Sequence, residues 1–192
     1  MRVSVLGCGR WGSFHAWYAH RVGHTVTLWG RTGSGHLAEL CATRANEFLT
    51  LSDEILLTDD LAAAIRTAEI VIISIHAQAL RSFLCDLRAQ GLGEELAEKQ
   101  VILCMKGLEI GTGKRLTIVV HEELGADVKP VVWVGPGHVQ DFVRDIPNCM
   151  VLAGEDRAAL RVLVDALGSP LIRFYYGEDL LGTEVGAAAK NV

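Results

Sequence analysis

Short hydrophobic runs recur along the chain, separated by stretches in which apolar positions follow helical spacing. Four runs are apolar at almost every position, as strands buried on both faces require: RVSVLG, EIVIISI, QVILCMKG and PVVWVGPG. Four more strands are predicted at HTVTLWG, ILLT, CMVLAG and LIRFYYG. Helices are predicted between them over about 11–21, 35–48, 59–68, 77–90, 113–124 and 155–168. This alternation predicts an α/β domain with a mostly parallel sheet.

The first strand runs directly into a glycine-rich turn, LGCGRWG. Gly7, Gly9 and Gly12 fit the spacing G-x-G-x-x-G. The motif lies between a predicted strand and a predicted helix, the context in which this spacing indicates a dinucleotide-binding loop. Gly7 permits a tight turn, Gly9 lets the backbone approach a pyrophosphate, and Gly12 lets the helix pack closely. The helix N-terminus offers free N–H groups to phosphates. The pattern predicts a Rossmann-like, doubly wound fold that binds a dinucleotide; the alternative is an ordinary glycine-rich turn.

The end of the second strand bears on the choice of dinucleotide. Enzymes that use NAD often place an acid there for the ribose 2′-OH, but LWGRTGSG contains none. Arg31 stands where a cation could meet a 2′-phosphate, and Thr32 and Ser34 add hydroxyl groups. These residues favour NADP over NAD, although Arg31 could also be a solvated surface residue.

Two further polar or flexible segments follow strands. Ligands of open α/β sheets bind beyond the carboxyl ends of the strands, so Lys106 in MKGLE is well placed for an anionic substrate. Gly135 and Gly137 in VGPGHVQDF allow the backbone to pass close to a ligand. The alternatives are a solvent-facing lysine and a plain turn.

The histidines offer weaker candidates. His76 ends a strand and could face a nicotinamide, but a hydrogen-bonded structural role is favoured. His15, His20 and the four tryptophans are favoured as packing residues. No spacing among the seven histidines and five scattered cysteines predicts a metal site, so we expect none.

The last residues read EVGAAAKNV, small side chains followed by Lys190. If this helix packs inside, Lys190 is partly desolvated, which lowers the pKa of a lysine. A lowered pKa suits proton exchange with a substrate oxygen near neutral pH. The alternative is a frayed, exposed lysine.

Composition limits the classes of function. Half of the 192 residues are hydrophobic, enough for the core of one domain, and no run approaches the roughly 20 apolar residues of a membrane helix. The net charge is −5 with no basic block, so neither nucleic acid nor a membrane is an expected partner. The cysteines, odd in number and without a C-x-x-C pair, indicate free thiols in a reducing cytoplasm.

Taken in order, these segments resemble the bacterial-type NAD(P)-dependent glycerol-3-phosphate dehydrogenases, from Val3 to the last residue. The segments are GCGRWG, LWGR, NEFL with ILLTDDLAAAI, KGLE, GPGHVQDFVRDIP and GTEVGAAAKNV. Each motif alone is weak, whereas the ordered series at matching spacing is specific.

The resemblance implies hydride transfer between NAD(P)H and dihydroxyacetone phosphate, giving sn-glycerol 3-phosphate. It implies that Lys190 exchanges the proton at the substrate oxygen and that Lys106 is a second catalytic lysine. Substrate contacts are implied at Lys106, Gly135, Gly137, Lys190 and Asn191. Cofactor contacts are implied at Gly7, Gly9, Arg10, Trp11, Gly12, Arg31, Thr32, Lys106 and Val139.

The resemblance also implies a division of the chain. Residues 1–180 are expected to form the dinucleotide-binding domain, with extra strands after its core. Residues 181–192 are expected to begin a helix that leads to a second, helical domain absent from this chain. The fragment should then bind dinucleotide, turn over little or no phosphorylated substrate, and expose apolar surface that allows a homodimer.

Several positions depart from the family pattern. Gly137 stands where serine is usual, Asp141 where glutamate is usual, and Val139 where alanine is common. His76 and Ala77 replace a Pro-Ser pair. Two alternatives therefore stay open: a related two-domain reductase of another hydroxy acid, and a non-enzymatic dinucleotide-binding sensor.

Overall fold

A computed structural model describes residues 1–190, which contain eight strands and eight α-helices. The strands are β1 (Arg2–Leu6), β2 (Thr25–Trp29), β3 (Leu56–Thr58), β4 (Ile70–Ile73), β5 (Gln100–Leu103), β6 (Val131–Val134), β7 (Asn148–Ala153) and β8 (Ile172–Gly177). The helices are α1 (Arg10–Arg21), α2 (Gly35–Thr43), α3 (Leu61–Thr67), α4 (Leu80–Ala89), α5 (Leu116–Leu124), α6 (Val139–Val143), α7 (Arg157–Leu167) and α8 (Leu180–Ala189). No helix within these residues is both long and apolar enough to cross a membrane.

All eight strands form one sheet in the order β3-β2-β1-β4-β5-β6-β7-β8. Neighbouring strands are parallel except β6 and β7, so β7 and β8 together run against the other six. The strand order reverses between β1 and β4, which creates a crevice at the carboxyl ends of these strands. The predicted doubly wound, mostly parallel sheet with extra strands after the dinucleotide-binding core is confirmed.

Both faces of the sheet are covered, which explains why its central strands are apolar at consecutive positions. In β4, Ile70 and Ile72 point to the core shared with α1, α2, α6 and α7. Val71 and Ile73 point to the opposite core, shared with α3, α4 and α5. The alternation follows from the two-residue period of a strand, so each strand serves two separate hydrophobic layers.

Two local predictions differ from the structure. The predicted helix 35–48 ends at Thr43, because Arg44 adopts a left-handed conformation with φ of 57°. The NEFL segment is therefore a loop, in which the side-chain oxygen of Asn46 accepts bonds from the backbone N–H groups of Phe48 and Leu49. The five-residue helix α6 was not predicted, because it is too short to show a helical period.

Helix α8 is held to the domain by one buried carboxylate. Within this helix Glu184 is the buried residue, while Leu181 and Val185 are exposed. The carboxylate of Glu184 accepts bonds from the Thr117 hydroxyl at 2.6 Å, the Thr117 backbone N–H at 3.1 Å and the Arg115 guanidinium at 2.8 Å. Of the two alternatives for this segment, a helix packed inside and an exposed end, the described residues show the second, since Leu181 and Val185 are exposed.

We expect Glu184→Ala to lower the free energy of unfolding by about 3 kcal/mol, because it leaves Arg115 and Thr117 without their buried acceptor. Urea denaturation at pH 7 measures this change. Glu178→Ala is the matched control and should change stability little, since Glu178 is exposed and its ion-pair partner within residues 1–190 is the exposed Arg157. Equal effects of the two substitutions would contradict the role assigned to Glu184.

Candidate functional site

The glycine loop between β1 and α1 is shaped by two contacts that exclude a side chain. A Cβ on Gly7 would overlap the carbonyl oxygen of Ser74, and the φ of Gly7 is 119°. A Cβ on Gly12 would overlap the carbonyl oxygen of Gly7. Gly9, by contrast, has open space where its Cβ would lie. The loop therefore needs glycine at two positions for packing and leaves the third open to a ligand.

The open position is also the N-cap of α1. Gly9 supplies no side-chain cap, and the first turn of the helix carries no acidic residue. The N–H groups of that turn are available to an anion, which the helix dipole also attracts. The guanidinium of Arg10 lies 4.3 Å from the ring centroid of Phe48 and donates a hydrogen bond to the side chain of Gln140. These contacts hold Arg10 beside the loop.

A cleft of about 640 Å³ extends from this loop across the carboxyl ends of β1, β2, β4 and β5. It lies at the point where the strand order reverses, where ligands of open α/β sheets bind. Of the residues predicted to contact a cofactor, the cleft is lined by Gly7, Gly9, Arg10, Trp11 and Arg31. Ser34 and His76 also line it. Nδ1 of His76 accepts a 3.3 Å bond from the backbone of Gln78, in keeping with its favoured structural role.

The end of β2 has an acidic neighbour that the local sequence did not reveal. The hydroxyl of Thr32 donates a 3.0 Å hydrogen bond to the carboxylate of Asp59. The backbone carbonyl of Asp59 in turn accepts a 3.0 Å bond from the indole of Trp29. Asp59 arrives there because β3 pairs in parallel with β2, with Thr58 beside Trp29. Arg31 is exposed at the same end of the cleft.

A second cavity, of about 300 Å³, brings the two predicted catalytic lysines together. Lys106 follows β5, and its ammonium donates a 3.0 Å hydrogen bond to the carbonyl of Gly135. Burial lowers the pKa of Lys106, and the charge of Lys190 lowers it further. Lys190 lies at the end of α8 and is exposed, so the described residues show the exposed lysine of the two alternatives and not the partly desolvated one. The outward packing of α8 explains this exposure.

The remaining residues predicted to contact substrate or cofactor differ in whether they line a cavity. Gly135 and Gly137 line the second cavity. A Cβ on Gly137 would overlap the ring of Phe142, so this packing excludes the serine that the family pattern expects. Val139 begins α6 with its side chain fully buried, and it is not among the residues that line either cavity. Asn191 lies outside the described residues.

Two aromatic residues that were assigned to packing also line this cavity. His15 and Trp133 are buried, with ring centroids 4.9 Å apart. Nδ1 of His15 and Nε1 of Trp133 have no hydrogen-bond partner within residues 1–190. Burial lowers the pKa of His15 to about 3, so the imidazole is neutral at physiological pH. No local pattern predicts this pair, because its members are 118 positions apart on α1 and β6.

The neutral His15 gives the fold a specific dependence on pH. The unfolded chain takes up a proton near pH 6.5 whereas the folded chain does so only near pH 3, so stability falls as pH drops between these values. Between pH 7.5 and pH 5, we expect the wild type to lose about 2 kcal/mol relative to His15→Leu, which has no such proton. Urea denaturation of both proteins at both pH values measures the difference. A stability difference independent of pH would contradict a neutral, buried imidazole.

Comparison with known proteins places this geometry in a family. Residues 2–160 match the family model described as NAD-dependent glycerol-3-phosphate dehydrogenase N-terminus. The chain is 36% identical over 197 residues to a glycerol-3-phosphate dehydrogenase [NAD(P)+] of Thermoanaerobacter sp. and 38% identical over 196 residues to one of Aromatoleum aromaticum. All of this chain is covered, but only 57% and 58% of those proteins.

A solved structure agrees with this family match. The crystal structure of glycerol-3-phosphate dehydrogenase from Coxiella burnetii superposes with a TM-score of 0.87 at 25% identity, covering 99% of this chain and 57% of that one. This chain thus spans a little over half the length of the relatives it matches. Since the family model covers most of its residues, the chain belongs to the family of NAD-dependent glycerol-3-phosphate dehydrogenase N-terminal domains.

Proposed function

We propose that this chain is the cofactor-binding part of an NAD(P)-dependent glycerol-3-phosphate dehydrogenase, which interconverts dihydroxyacetone phosphate and sn-glycerol 3-phosphate. The observation that carries the proposal is the adjacency of two cavities. The cleft at the glycine loop and the cavity of Lys106 and Lys190 share Trp11 and Cys104 in their walls. A dinucleotide in the cleft would therefore end beside both lysines.

In the proposed complex the pyrophosphate lies against Gly9 and the free N–H groups at the start of α1. Arg31 lies at the far end of the cleft, where its guanidinium can pair with the 2′-phosphate of NADP. Asp59, beside Thr32, acts against that preference, because a carboxylate repels a phosphate and accepts well from a ribose hydroxyl. We propose that Arg31 prevails, since Asp59 already accepts a bond from Thr32.

The two lysines have distinct proposed roles. A bound nicotinamide supplies the hydride, and the carbonyl oxygen of the substrate gains negative charge as that hydride arrives. Lys106, fixed by the carbonyl of Gly135, stabilises the charge with its ammonium group. Lys190, which reaches both the cavity and solvent, gives the proton to this oxygen and recovers it from water.

The proposed domain division is supported by where the last elements begin and end. Strand β8 ends at Gly177, and α8 begins at Leu180 with the Asp179 carboxylate accepting from the backbone N–H of Gly182 at 2.8 Å. Residues 1–180 would then be the dinucleotide-binding domain and 181–192 the start of a helix into a substrate-binding domain. The greater length of the relatives supports this division. In this arrangement Gly135, Gly137 and Asn191 are also proposed to contact the substrate.

The proposal also includes a homodimer and a cytoplasmic location of the protein. Apolar side chains stand exposed on β8 and α8, namely Tyr175, Tyr176, Leu181 and Val185. Such a surface favours a homodimer when no further domain covers it. The five cysteines, all free thiols in the structure, suit the reducing cytoplasm.

Titration of the purified chain with NADPH and NADH, followed by nicotinamide fluorescence, tests cofactor binding. We expect NADPH to bind more tightly than NADH. Arg31→Ala should weaken NADPH binding by about 10-fold, the value of one charge-assisted contact, and leave NADH binding unchanged. Asp59→Asn, the matched change of charge, should instead tighten NADPH binding. Equal affinities for the two cofactors in all three proteins would refute the role of Arg31, and no binding of either would refute the glycine-loop site.

Addition of dihydroxyacetone phosphate to the NADPH complex tests the proposed division of the enzyme. We expect no NADPH oxidation by this chain, because the lysine cavity is open and Lys190 is exposed. Absorbance at 340 nm follows the cofactor. Steady oxidation that disappears in Lys190→Met would show that these residues complete a working site, contrary to the proposal.

A further inference from the structure

A short hairpin, residues 108–115, follows Lys106 in the chain. Leu108 and Arg115 close it with an antiparallel bridge. Two glycines inside the hairpin have positive φ values, 89° and 67°. Glycine loses more backbone entropy than other residues when it becomes ordered, so contacts from outside the hairpin are important for holding it in one position.

The hairpin lies between the two lysines of the proposed site. Lys106 precedes it by two residues. Arg115, its last residue, donates a 2.8 Å hydrogen bond to the buried carboxylate of Glu184. Glu184 anchors α8, the helix that ends at Lys190. A displacement of the hairpin would therefore affect both lysines in the cavity that they share.

The side-chain amide of Gln78 holds the hairpin from one side. Gln78 lies in a short 3-10 turn, Ala77–Ala79, between β4 and α4. Its Nε2 donates a 2.9 Å hydrogen bond to the carbonyl of Leu108, and its Oε1 accepts a 2.8 Å bond from the backbone N–H of Ile110. One amide thus satisfies a backbone acceptor and a backbone donor of the hairpin at once.

The guanidinium of Arg81, the second residue of α4, adds an ionic contact to the hairpin. It forms a bidentate pair with the carboxylate of Glu109, at 2.6 and 2.8 Å. It also donates to Glu122 and Glu123 on α5, at 2.8 and 2.6 Å. Hydrogen bonds from Arg81 and Thr112 lower the pKa of Glu109 to about 2, so this carboxylate is ionised at neutral pH. A bidentate pair fixes orientation as well as distance.

Both contacts originate from a segment that also forms part of the dinucleotide cleft. His76, Ala79 and Ser82, which adjoin Gln78 and Arg81 in the sequence, line that cleft. The segment between β4 and α4 therefore contributes to the cofactor cleft and holds the hairpin with other side chains. It relates the position of Lys106 to the position of a bound cofactor.

We propose that Gln78 and Arg81 are positioning residues, which clamp the hairpin and so set the position of Lys106 relative to the cofactor and to Lys190. This assignment rests on the proposed function. Neither side chain is among those that line the dinucleotide cleft or the lysine cavity, so both act through Lys106.

Gln78→Met tests the clamp without a change of charge, because methionine has a similar length but forms neither hydrogen bond. In the wild type, burial and the charge of Lys190 keep the pKa of Lys106 below its ordinary value. We expect the substitution to raise the pKa of Lys106 toward that value, because a released hairpin lets the ammonium group leave the cavity. An NMR titration of the Lys106 side chain, assigned by its absence in Lys106→Arg, measures the change.

Hydrogen exchange at the backbone amide of Ile110 reports on the clamp itself. We expect exchange in Gln78→Met to be about 3- to 10-fold faster, which corresponds to the loss of one hydrogen bond. Urea denaturation should show nearly the wild-type stability, since Gln78 is exposed. A shift in the pKa of Lys106 at unchanged stability cannot come from a general loosening of the fold.

Arg81→Met should also raise the pKa of Lys106, and Arg88→Met is its matched control. Arg88 lies on the same helix and also pairs with Glu123, at 3.3 Å, but Glu123 belongs to α5 and not to the hairpin. The control removes the same charge from α4 and leaves the bidentate pair with Glu109 in place. We therefore expect Arg88→Met to leave the pKa of Lys106 unchanged.

Two results would overturn the assignment: an unchanged pKa of Lys106 in both Gln78→Met and Arg81→Met, or an equal rise in Arg88→Met. Titration of the same proteins with NADPH separates this failure from a failure of the proposed function. We expect all three variants to bind NADPH as the wild type does, because none of the substituted side chains lines the cleft. If the wild type binds no NADPH, the proposed function fails, and the role of the clamp in the reaction fails with it even where the pKa of Lys106 shifts as expected.

Discussion

The close contact between Gly12 and the carbonyl of Gly7 is the constraint on which the site depends. It brings α1 against the end of β1 at a distance that no side chain at position 12 would allow. The N-terminus of α1 consequently points into the crevice between β1 and β4, where its free N–H groups attract an anion. The rest of α1 then packs Phe14 and Tyr18 into the core. One backbone contact thus sets both the anion site and the register of the helix on the sheet.

The same helix joins the two cavities. Trp11 lines both of them, and His15, one turn further on, lines the inner wall of the smaller one. Residues at the carboxyl ends of β5 and β6 also line this cavity, and there Lys106 donates to the carbonyl of Gly135. Parallel strands deliver these groups to one edge of the sheet, so residues distant in sequence converge without any dedicated binding element.

Helix α8 shows how a functional group is placed by one polar anchor. The Glu184 carboxylate is buried against Arg115 and Thr117, while the remaining turns lie on the surface. This anchor carries Lys190 to the mouth of the lysine cavity but leaves it exposed to solvent. The ion pair and three hydrogen bonds of the Glu184 carboxylate therefore position Lys190, but they do not determine how far its ammonium group is shielded from water.

The strands, the glycine loop and the location of Lys106 after β5 could be predicted from the amino-acid sequence, because periodicity and turn chemistry are local properties of the chain. Which side chains line the same cavity or form the same contact became known from the folded domain. Pairing of β3 with β2 brought Asp59 to Thr32, and the packing of α1 on β6 joined His15 to Trp133. Burial and long-range contacts depend on which faces meet, and no local pattern records that.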